Sequence, residues 1–143
     1  MTRQNIELLT KDLSCRIPYC VKFLRESWNY ELDQELSVIE VLEDIDKDGY
    51  INNTKVYNVE DIKPYLFPIS SMTREQLFEV QEMLGKNEIE IEDGFLHIVD
   101  SDRNVITYLE ILALLEWFYK NHFDVYGLIP MGLALDATNL KIY

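Results

Sequence analysis

Three aspartates at alternate positions have the spacing best suited to binding a metal ion. Asp44, Asp46 and Asp48 precede Gly49 and match the opening of an EF-hand calcium loop. That loop needs a bidentate glutamate at its last position, where this chain has the positively charged Lys55. The flanking sequence also alternates like a strand, whereas an EF-hand loop is flanked by helices. Two interpretations stay open: a weak calcium site at the three aspartates, or an acidic β-turn in which the glycine takes a positive φ.

The other residues that could bind a metal ion or take part in catalysis are few and far apart in the sequence. Cys15 and Cys20 are too few for a zinc site, and His97 and His122 each stand alone. His122 with Asp124 could form an oriented base, but no nucleophile in a recognisable setting accompanies it, and none of the common catalytic motifs occurs. We therefore predict no catalytic residue, no cofactor and no metal beyond the weak calcium candidate. An enzyme acting on a small molecule stays an alternative, which would require a cleft holding His122 or perturbed carboxylates.

The charge of the chain is strongly negative and unevenly distributed. The 143 residues include 26 acidic and 13 basic side chains, a net charge of −13, and residues 31–61 alone hold ten acids and two bases. Direct binding to nucleic acid is not expected, since that affinity comes from Lys and Arg, and an acidic membrane surface would repel the chain. A basic protein or a cation is compatible with this charge. The acidic surface could also serve only to keep the protein soluble.

Length and composition predict one domain over residues 1–143. Apolar residues make up 48% of the chain, which is enough for a hydrophobic core. No apolar run reaches the length of about 18–20 residues that a membrane helix requires. The N-terminal residues lack the apolar stretch of a signal peptide, and two cysteines are too few for a disulfide framework. We expect a soluble cytoplasmic protein.

The first half of the chain reads as one helix followed by strands. Thr2 can cap a helix that carries Ile6, Leu9 and Leu13 on one face. Alternating patterns over residues 17–23, 36–45 and 55–59 then predict a meander of three or four antiparallel strands. Prolines in the segment 62–68 predict a connector that is neither strand nor helix.

The second half predicts two capped helices around a hairpin. Thr73 and Gln76 have the spacing of a capping box, and so do Thr107 and Glu110. Between these helices, an Asp-Gly pair at positions 93 and 94 predicts a hairpin. The helix over residues 108–121 is apolar on nearly every side, which predicts a central, buried helix. The fold class that follows is α+β: a small antiparallel sheet, meander plus hairpin, packed by two or three helices.

The apolar tail over residues 127–135 must pack on the domain or on a partner. The stretch 128–135 could equally be the contact of a homodimer.

Three segments together resemble a known family. They are LTKDLSCRIPYCVK at 9–22, DIKPYLFPISSMT at 61–73 and HFDVYGLIPMGLAL at 122–135. They are similar to the patterns KDLxARLPYGV, IKPYLRPLSSMT and HHFDYRGLIxxGLALEA of small uncharacterised proteins encoded by phages, prophages and mobile elements of gut Bacteroidetes. Cys20 departs from that pattern in place of a glycine, and Phe67 in place of a basic residue. The resemblance implies the cytoplasm of a bacterial host and brings no activity, cofactor or catalytic residue.

We predict a non-catalytic module that binds a protein, which could be basic. The residues proposed for that contact are Tyr65, Phe67, Glu40, Glu43, Asp44, Asp46 and Asp48. Aromatics in the rigid connector could line a groove, or they could simply fill the gap between sheet and helix. The alternative is an acidic inhibitor that imitates DNA and occupies a basic nucleic-acid-binding protein. The residues assigned to that role are Glu31, Asp33, Glu35, Glu40, Glu43, Asp44, Asp46 and Asp48.

Overall fold

The predicted α+β class is confirmed by a computed structural model, which describes residues 1–29, 31, 34–53, 56–85, 88–99 and 107–143. The helices are α1 (Arg3–Arg16), α2 (Arg74–Leu84) and α3 (Tyr108–Lys120). The strands are β1 (Lys22–Asn29), β2 (Gln34–Val41), β3 (Tyr50–Asn52), β4 (Val56–Asn58), β5 (Ile62–Leu66), β6 (Glu88–Glu92), β7 (Phe95–Val99) and β8 (Leu135–Asp136). Among the described residues, no helix combines the length and the apolar character needed to cross a membrane.

The largest sheet has the strand order β2-β1-β5-β8, with antiparallel pairs except for the parallel pair β5–β8. One face of this sheet packs against α1, and the main core between them buries Leu9 and Leu13 of the helix with Phe23, Ile62 and Leu66 of the strands. Two hairpins, β3–β4 and β6–β7, stand apart from this sheet. The predicted meander is therefore divided between the main sheet and the β3–β4 hairpin.

Helix α1 begins as predicted, because the side chain of Thr2 accepts a hydrogen bond from the backbone N–H of Asn5 at 3.2 Å. The strand expected from residue 17 is wrong. Residues Ile17–Tyr19 form a 3₁₀ turn with proline near its start, and Cys20 closes the turn in a left-handed conformation at φ 55°. The alternation of apolar and polar residues in this stretch therefore falls mostly within the turn, and β1 begins only at residue 22.

The connector predicted over residues 62–68 is also wrong, since its first five residues form strand β5 in the middle of the sheet. The carbonyl of Leu66 accepts a hydrogen bond from Ala137 N–H at 2.8 Å on the β8 side. Backbone groups two residues apart on a strand point to the same side. The backbone nitrogen of Pro64 therefore also faces the β8 side. There β8 pairs only with Tyr65 and Leu66, and the missing N–H of the proline interrupts no ladder.

A second, smaller core lies between α2, α3 and the β6–β7 hairpin. It buries Val80, Leu84 and Ile89, and Leu114 and Trp117 of α3 pack against it. Both predicted capping boxes are present at the starts of α2 and α3, and the predicted hairpin turn at residues 93 and 94 joins β6 to β7. These elements were predictable because each depends on residues close together in the sequence.

The C-terminal tail packs on its own domain. Leu128, Leu133 and Ala134 are buried in the main core, whereas Met131 is exposed. Just before this tail, the buried ring of Phe123 stacks on Trp117 at 5.6 Å between centroids. The tail therefore offers few of its apolar side chains to a second copy.

The packing of the turn that resembles a calcium loop requires a residue without a side chain at position 49. Gly49 has φ +83°, and an added Cβ would lie 3.0 Å from Thr10 Oγ1 and 3.3 Å from Val59 Cγ1. We expect Gly49→Ala to lower the free energy of unfolding by about 2–3 kcal/mol, from left-handed strain plus overpacking. Gly94→Ala is the matched control, because Gly94 has φ +80° with no atom within 4 Å of the added Cβ. Urea denaturation should show a loss of only about 1 kcal/mol for the control, and equal losses would contradict the packing argument.

Candidate functional site

Helix α3 exposes an unusual amount of apolar surface, which corrects the prediction of a central, buried helix. Tyr108 is 74% exposed, Leu109 76%, Ile111 43% and Leu112 45%. The helix buries only Phe118 and Tyr119 within its own span, both near its C-terminal end. We call these four exposed residues the α3 apolar face. Soluble monomers rarely expose large contiguous apolar patches, so such a face marks a candidate interaction site.

This exposure arises because the first two turns of α3 are packed on one side only. Its Leu114 and Trp117 face the smaller core with α2 and the hairpin, and the opposite side of the first two turns has no described element over it. The helix is nevertheless well anchored. Thr107 N–H donates to Glu110 Oε2 at 2.6 Å, and Glu110 N–H donates to Thr107 Oγ1 at 3.3 Å. Packing on one side and a formed capping box fix the orientation of the exposed side chains.

The part of the fold to which α3 belongs is acidic. Described residues 74–85, 88–99 and 107–120 include nine Asp and Glu but only two Lys and Arg. Glu116 follows the apolar face on the same side of α3, is exposed, and accepts a hydrogen bond from the Tyr19 hydroxyl at 3.3 Å. Glu79 of α2 accepts one from Trp117 Nε1 at 3.3 Å. The local field therefore favours a positively charged partner.

The aspartates of the calcium-like loop form hydrogen bonds within their own turn. Asp46 Oδ1 accepts from the backbone N–H groups of Asp48 at 2.9 Å and Tyr50 at 3.0 Å, and Asp44 Oδ2 accepts from Asn52 Nδ2 at 3.3 Å. Lys55, at the last position of the loop, lies outside the described residues. Within the described part of the chain, no group of three or more His, Cys, Asp or Glu side chains is arranged to hold a metal ion.

The acids assigned to DNA imitation do not form one free row. Glu40 Oε1 accepts two bonds from Arg25, at 2.8 and 3.1 Å, and a third from the Tyr57 hydroxyl at 3.3 Å. Glu43 is exposed beside the loop, and Glu31 is exposed at the β1–β2 turn. Asp33 lies outside the described residues, and the side chain of Glu35 lies outside them too. The arginine and tyrosine contacts leave Glu40 less available to an outside cation.

The two aromatics of the predicted connector lie mostly inside the protein. Tyr65 is 6% exposed on β5, and its carbonyl accepts a hydrogen bond from the Tyr143 hydroxyl at 2.8 Å. Phe67 is half-buried against Phe123 and Tyr143, with centroids 6.2 and 5.9 Å away. Both side chains therefore pack against residues of the protein itself. It leaves little of Tyr65 for contact with a partner.

A buried ion pair that the sequence analysis did not single out connects α1 to the loop after α3. Arg16 Nε and Nη2 donate to the two carboxylate oxygens of Asp12 at 2.6 and 2.9 Å, and Nη2 also donates to the Phe123 carbonyl at 2.7 Å. Both side chains are fully buried. Burial raises the pKa of Asp12, and the adjacent guanidinium partly counters this. The sequence holds one indication of this buried pair. Asp12 and Arg16 interrupt the apolar stripe formed by Leu9 and Leu13.

The same loop is shaped by Asp124, another buried acid. Its two carboxylate oxygens accept from the backbone N–H groups of Leu128 and Ile129, each at 2.8 Å. Backbone bonds also join the loop to the end of β5, since Phe67 N–H donates to the His122 carbonyl at 2.9 Å and Asp124 N–H donates to the Phe67 carbonyl at 2.8 Å. Segments 9–22, 61–73 and 122–135, on which the family resemblance rests, therefore meet at one place. These contacts hold the three segments together.

His122 is a titratable group whose pKa this environment lowers. Its ring stacks on Tyr143 at 3.9 Å between centroids, and its Nδ1 is buried with no hydrogen-bond partner among the described residues. Burial lowers the pKa of His122 to about 4, and the positive charges of Arg16 and Lys22 act in the same direction. Burial raises the pKa of Tyr143 to about 12. A neutral, stacked histidine of this kind supports packing.

The lowered pKa of His122 predicts a stability that falls in mild acid. Between the unfolded pKa of about 6.5 and the folded pKa of about 4, the unfolded chain binds a proton that the folded chain does not. Stability therefore rises with pH across this window and falls on acidification. We expect wild type to lose on the order of 1–2 kcal/mol more than His122→Asn between pH 7 and pH 4, after allowance for solvent screening.

The measurement is urea denaturation of both proteins at several pH values. Asparagine suits the control position because His122 has φ 59°, a conformation that asparagine tolerates. His97→Asn, at an exposed position of β7, should keep the wild-type slope. An equal slope for wild type and His122→Asn would contradict the prediction.

Two surface cavities could be considered for a small molecule. A groove of about 520 Å³ is lined by both acidic and basic side chains, including Arg25, Glu26, Asp61 and Lys63. A cavity of about 310 Å³ lies between Phe67 and Phe123 and the start of α2. His122 lines neither of them.

Comparison with known proteins adds no assignment. No family model, no curated protein and no solved structure matches this chain.

Proposed function

We propose that this protein is a non-catalytic binding module whose contact surface is the α3 apolar face and whose partner is a basic protein. The observation that most directly supports this proposal is the exposure of four apolar side chains on one anchored helix: Tyr108, Leu109, Ile111 and Leu112. Covering such side chains contributes about 25 cal/mol per Å² of apolar area removed from water. Tyrosine is also among the residues that most often dominate binding energy at interfaces.

The pre-organised helix supports this proposal. Because the capping box and the smaller core already hold α3, its side chains lose little freedom when they are covered. The acidic surroundings favour a basic partner and weaken association with an acidic one. In keeping with the family resemblance, we propose that the protein acts in the cytoplasm of a bacterial host and derives from a phage or mobile element.

The experiment is affinity capture from an extract of gut Bacteroidetes cells at about 50 mM and about 300 mM salt, because only exposed charge contacts are strongly screened at the higher concentration. The test variant is Leu109→Ser/Leu112→Ser. The matched control is Phe78→Ser, which removes an apolar side chain 58% exposed on α2, away from the α3 apolar face. Circular dichroism should show that both variants stay folded, since exposed substitutions usually change stability by less than about 0.5 kcal/mol.

We expect wild type and Phe78→Ser to retain the same basic protein at both salt concentrations, and the double variant to lose it. A partner that the double variant still retains would contradict the proposal. A nucleic-acid-binding protein captured only at low salt, and equally by all three proteins, would favour the acidic inhibitor that imitates DNA.

A further inference from the structure

We infer that the α3 apolar face receives an amphipathic helix of the partner, with a basic side chain of that helix placed against Glu116. This inference rests on the proposed function and specifies the partner of the same surface.

The exposed side chains have the arrangement that a second helix requires. Tyr108, Leu112 and Glu116 follow one another at intervals of four residues and therefore form one row along α3, with Leu109 beside it. The row extends over about 12 Å, a little more than two helical turns. Rows of this spacing are the ridges that fit the grooves of a neighbouring helix. The face is convex and belongs to a single helix, so a helix can cover it along its length.

Glu116 is the first polar residue of this row, and Lys120 follows it one turn later at the end of α3. Glu116 lies one turn after Leu112 and is exposed, and its Oε1 accepts from the Tyr19 hydroxyl at 3.3 Å. A carboxylate can accept about four hydrogen bonds, so this contact orients the group and leaves acceptor capacity for a cation. A lysine or arginine on the partner helix, one turn beyond its apolar residues, would meet this carboxylate. Apolar contact followed by a charge pair sets both the register and the direction of the bound helix.

The charge of this part of the molecule argues against a second copy as the occupant. Nine acidic and two basic side chains belong to described residues 74–85, 88–99 and 107–120, which form α3 and the elements that share the smaller core with it. Two copies meeting at this face would bring like charges together, and such juxtaposition is unfavourable. A helix that is apolar on one side and basic at its margins fits both the α3 apolar face and its surroundings.

The test uses two synthetic 18-residue peptides with the same amphipathic pattern, one of leucine and lysine and one of leucine and glutamate. Fluorescence anisotropy measures affinity at about 150 mM salt, where long-range charge effects are screened within about 8 Å. Amide chemical shifts of the labelled protein locate the contact. The protein variants are Leu109→Ser/Leu112→Ser and Glu116→Gln. Glu90→Gln is the control for loss of an exposed acid elsewhere, on β6.

We expect the leucine–lysine peptide to shift amides of residues 107–116 and to bind about 10-fold more tightly than the leucine–glutamate peptide, equivalent to about 1.4 kcal/mol. The double variant should weaken binding by at least about 10-fold, and Glu116→Gln by about 3- to 10-fold. Glu90→Gln should leave affinity unchanged. Shifts centred on residues 44–48, or equal binding of the two peptides, would overturn the inference.

Failure of this inference can be told apart from failure of the proposed function. If the double variant loses the natural partner while the two peptides bind wild type equally, the surface is correct and the basic helix is wrong. If the double variant keeps both the natural partner and the leucine–lysine peptide, the α3 apolar face is not the contact surface and both proposals fail.

Discussion

Replacing Arg16 by methionine is expected to lower the free energy of unfolding by about 3–5 kcal/mol, which is a large part of the stability of a domain this size. Arg16 and Asp12 are fully buried and bonded through both carboxylate oxygens. Removing the cation leaves a buried carboxylate without its partner and also removes the donor to the Phe123 carbonyl. Chemical denaturation followed by circular dichroism measures the loss.

Two further variants test whether the loss of stability comes from the unpaired buried charge. Arg3 and Glu7 form a pair with the same spacing on the same helix, but both are exposed, so Arg3→Met should cost less than about 1 kcal/mol. Asp12→Leu/Arg16→Met removes both charges and should recover roughly 2 kcal/mol relative to Arg16→Met, because no unpaired charge stays buried. If Arg16→Met were no worse than Arg3→Met, the buried pair would not have the role assigned to it.

Phe123→Ala is expected to cost about 3–5 kcal/mol, the usual range for deleting a buried aromatic ring. Phe123 is almost fully buried, stacks on Trp117 at 5.6 Å, and meets Phe118 edge to face at 6.0 Å between centroids. Its ring also lies 6.2 Å from that of Phe67, so it belongs to a cluster of four aromatic rings between the end of β5 and α3. Truncation should therefore leave a cavity within this cluster.

The matched control is Phe78→Ala, because Phe78 is exposed on α2 and should change stability by less than about 0.5 kcal/mol. Thermal unfolding followed by circular dichroism measures the loss. Unchanged stability in Phe123→Ala would contradict the packing role assigned to this ring.

The parts of the fold that the sequence predicted correctly are those set by neighbouring residues. The cap at Thr2, the capping boxes at Thr73 and Thr107, and the turn before β7 all involve groups within four residues of each other. Strand β5 could not be predicted in the same way. Its place between β1 and β8 depends on partners far away in the chain, and a proline inside it argues locally against a strand.

The candidate site could not be predicted from the sequence either, because it too depends on tertiary packing. The apolar character of α3 was evident in the sequence, but whether its sides are covered depends on how many elements pack around it, and the first two turns are packed on one side only. Likewise, the Asp12–Arg16 pair and the Arg3–Glu7 pair have identical spacing, and only the tertiary fold buries the first. Acid-rich stretches indicated a basic partner without indicating which surface it would contact.

The most direct test of the central proposal is photo-crosslinking in living bacterial cells. A photoreactive benzoylphenylalanine replaces Leu112 on the α3 apolar face in one protein and Phe78 on α2 in another; both native side chains are exposed. We predict a covalent adduct with one basic protein from position 112, mapped to an amphipathic helical segment of that protein, and no adduct from position 78. Adducts from position 78 alone, or none from position 112 in cells where the wild-type protein captures its partner, would contradict the proposal.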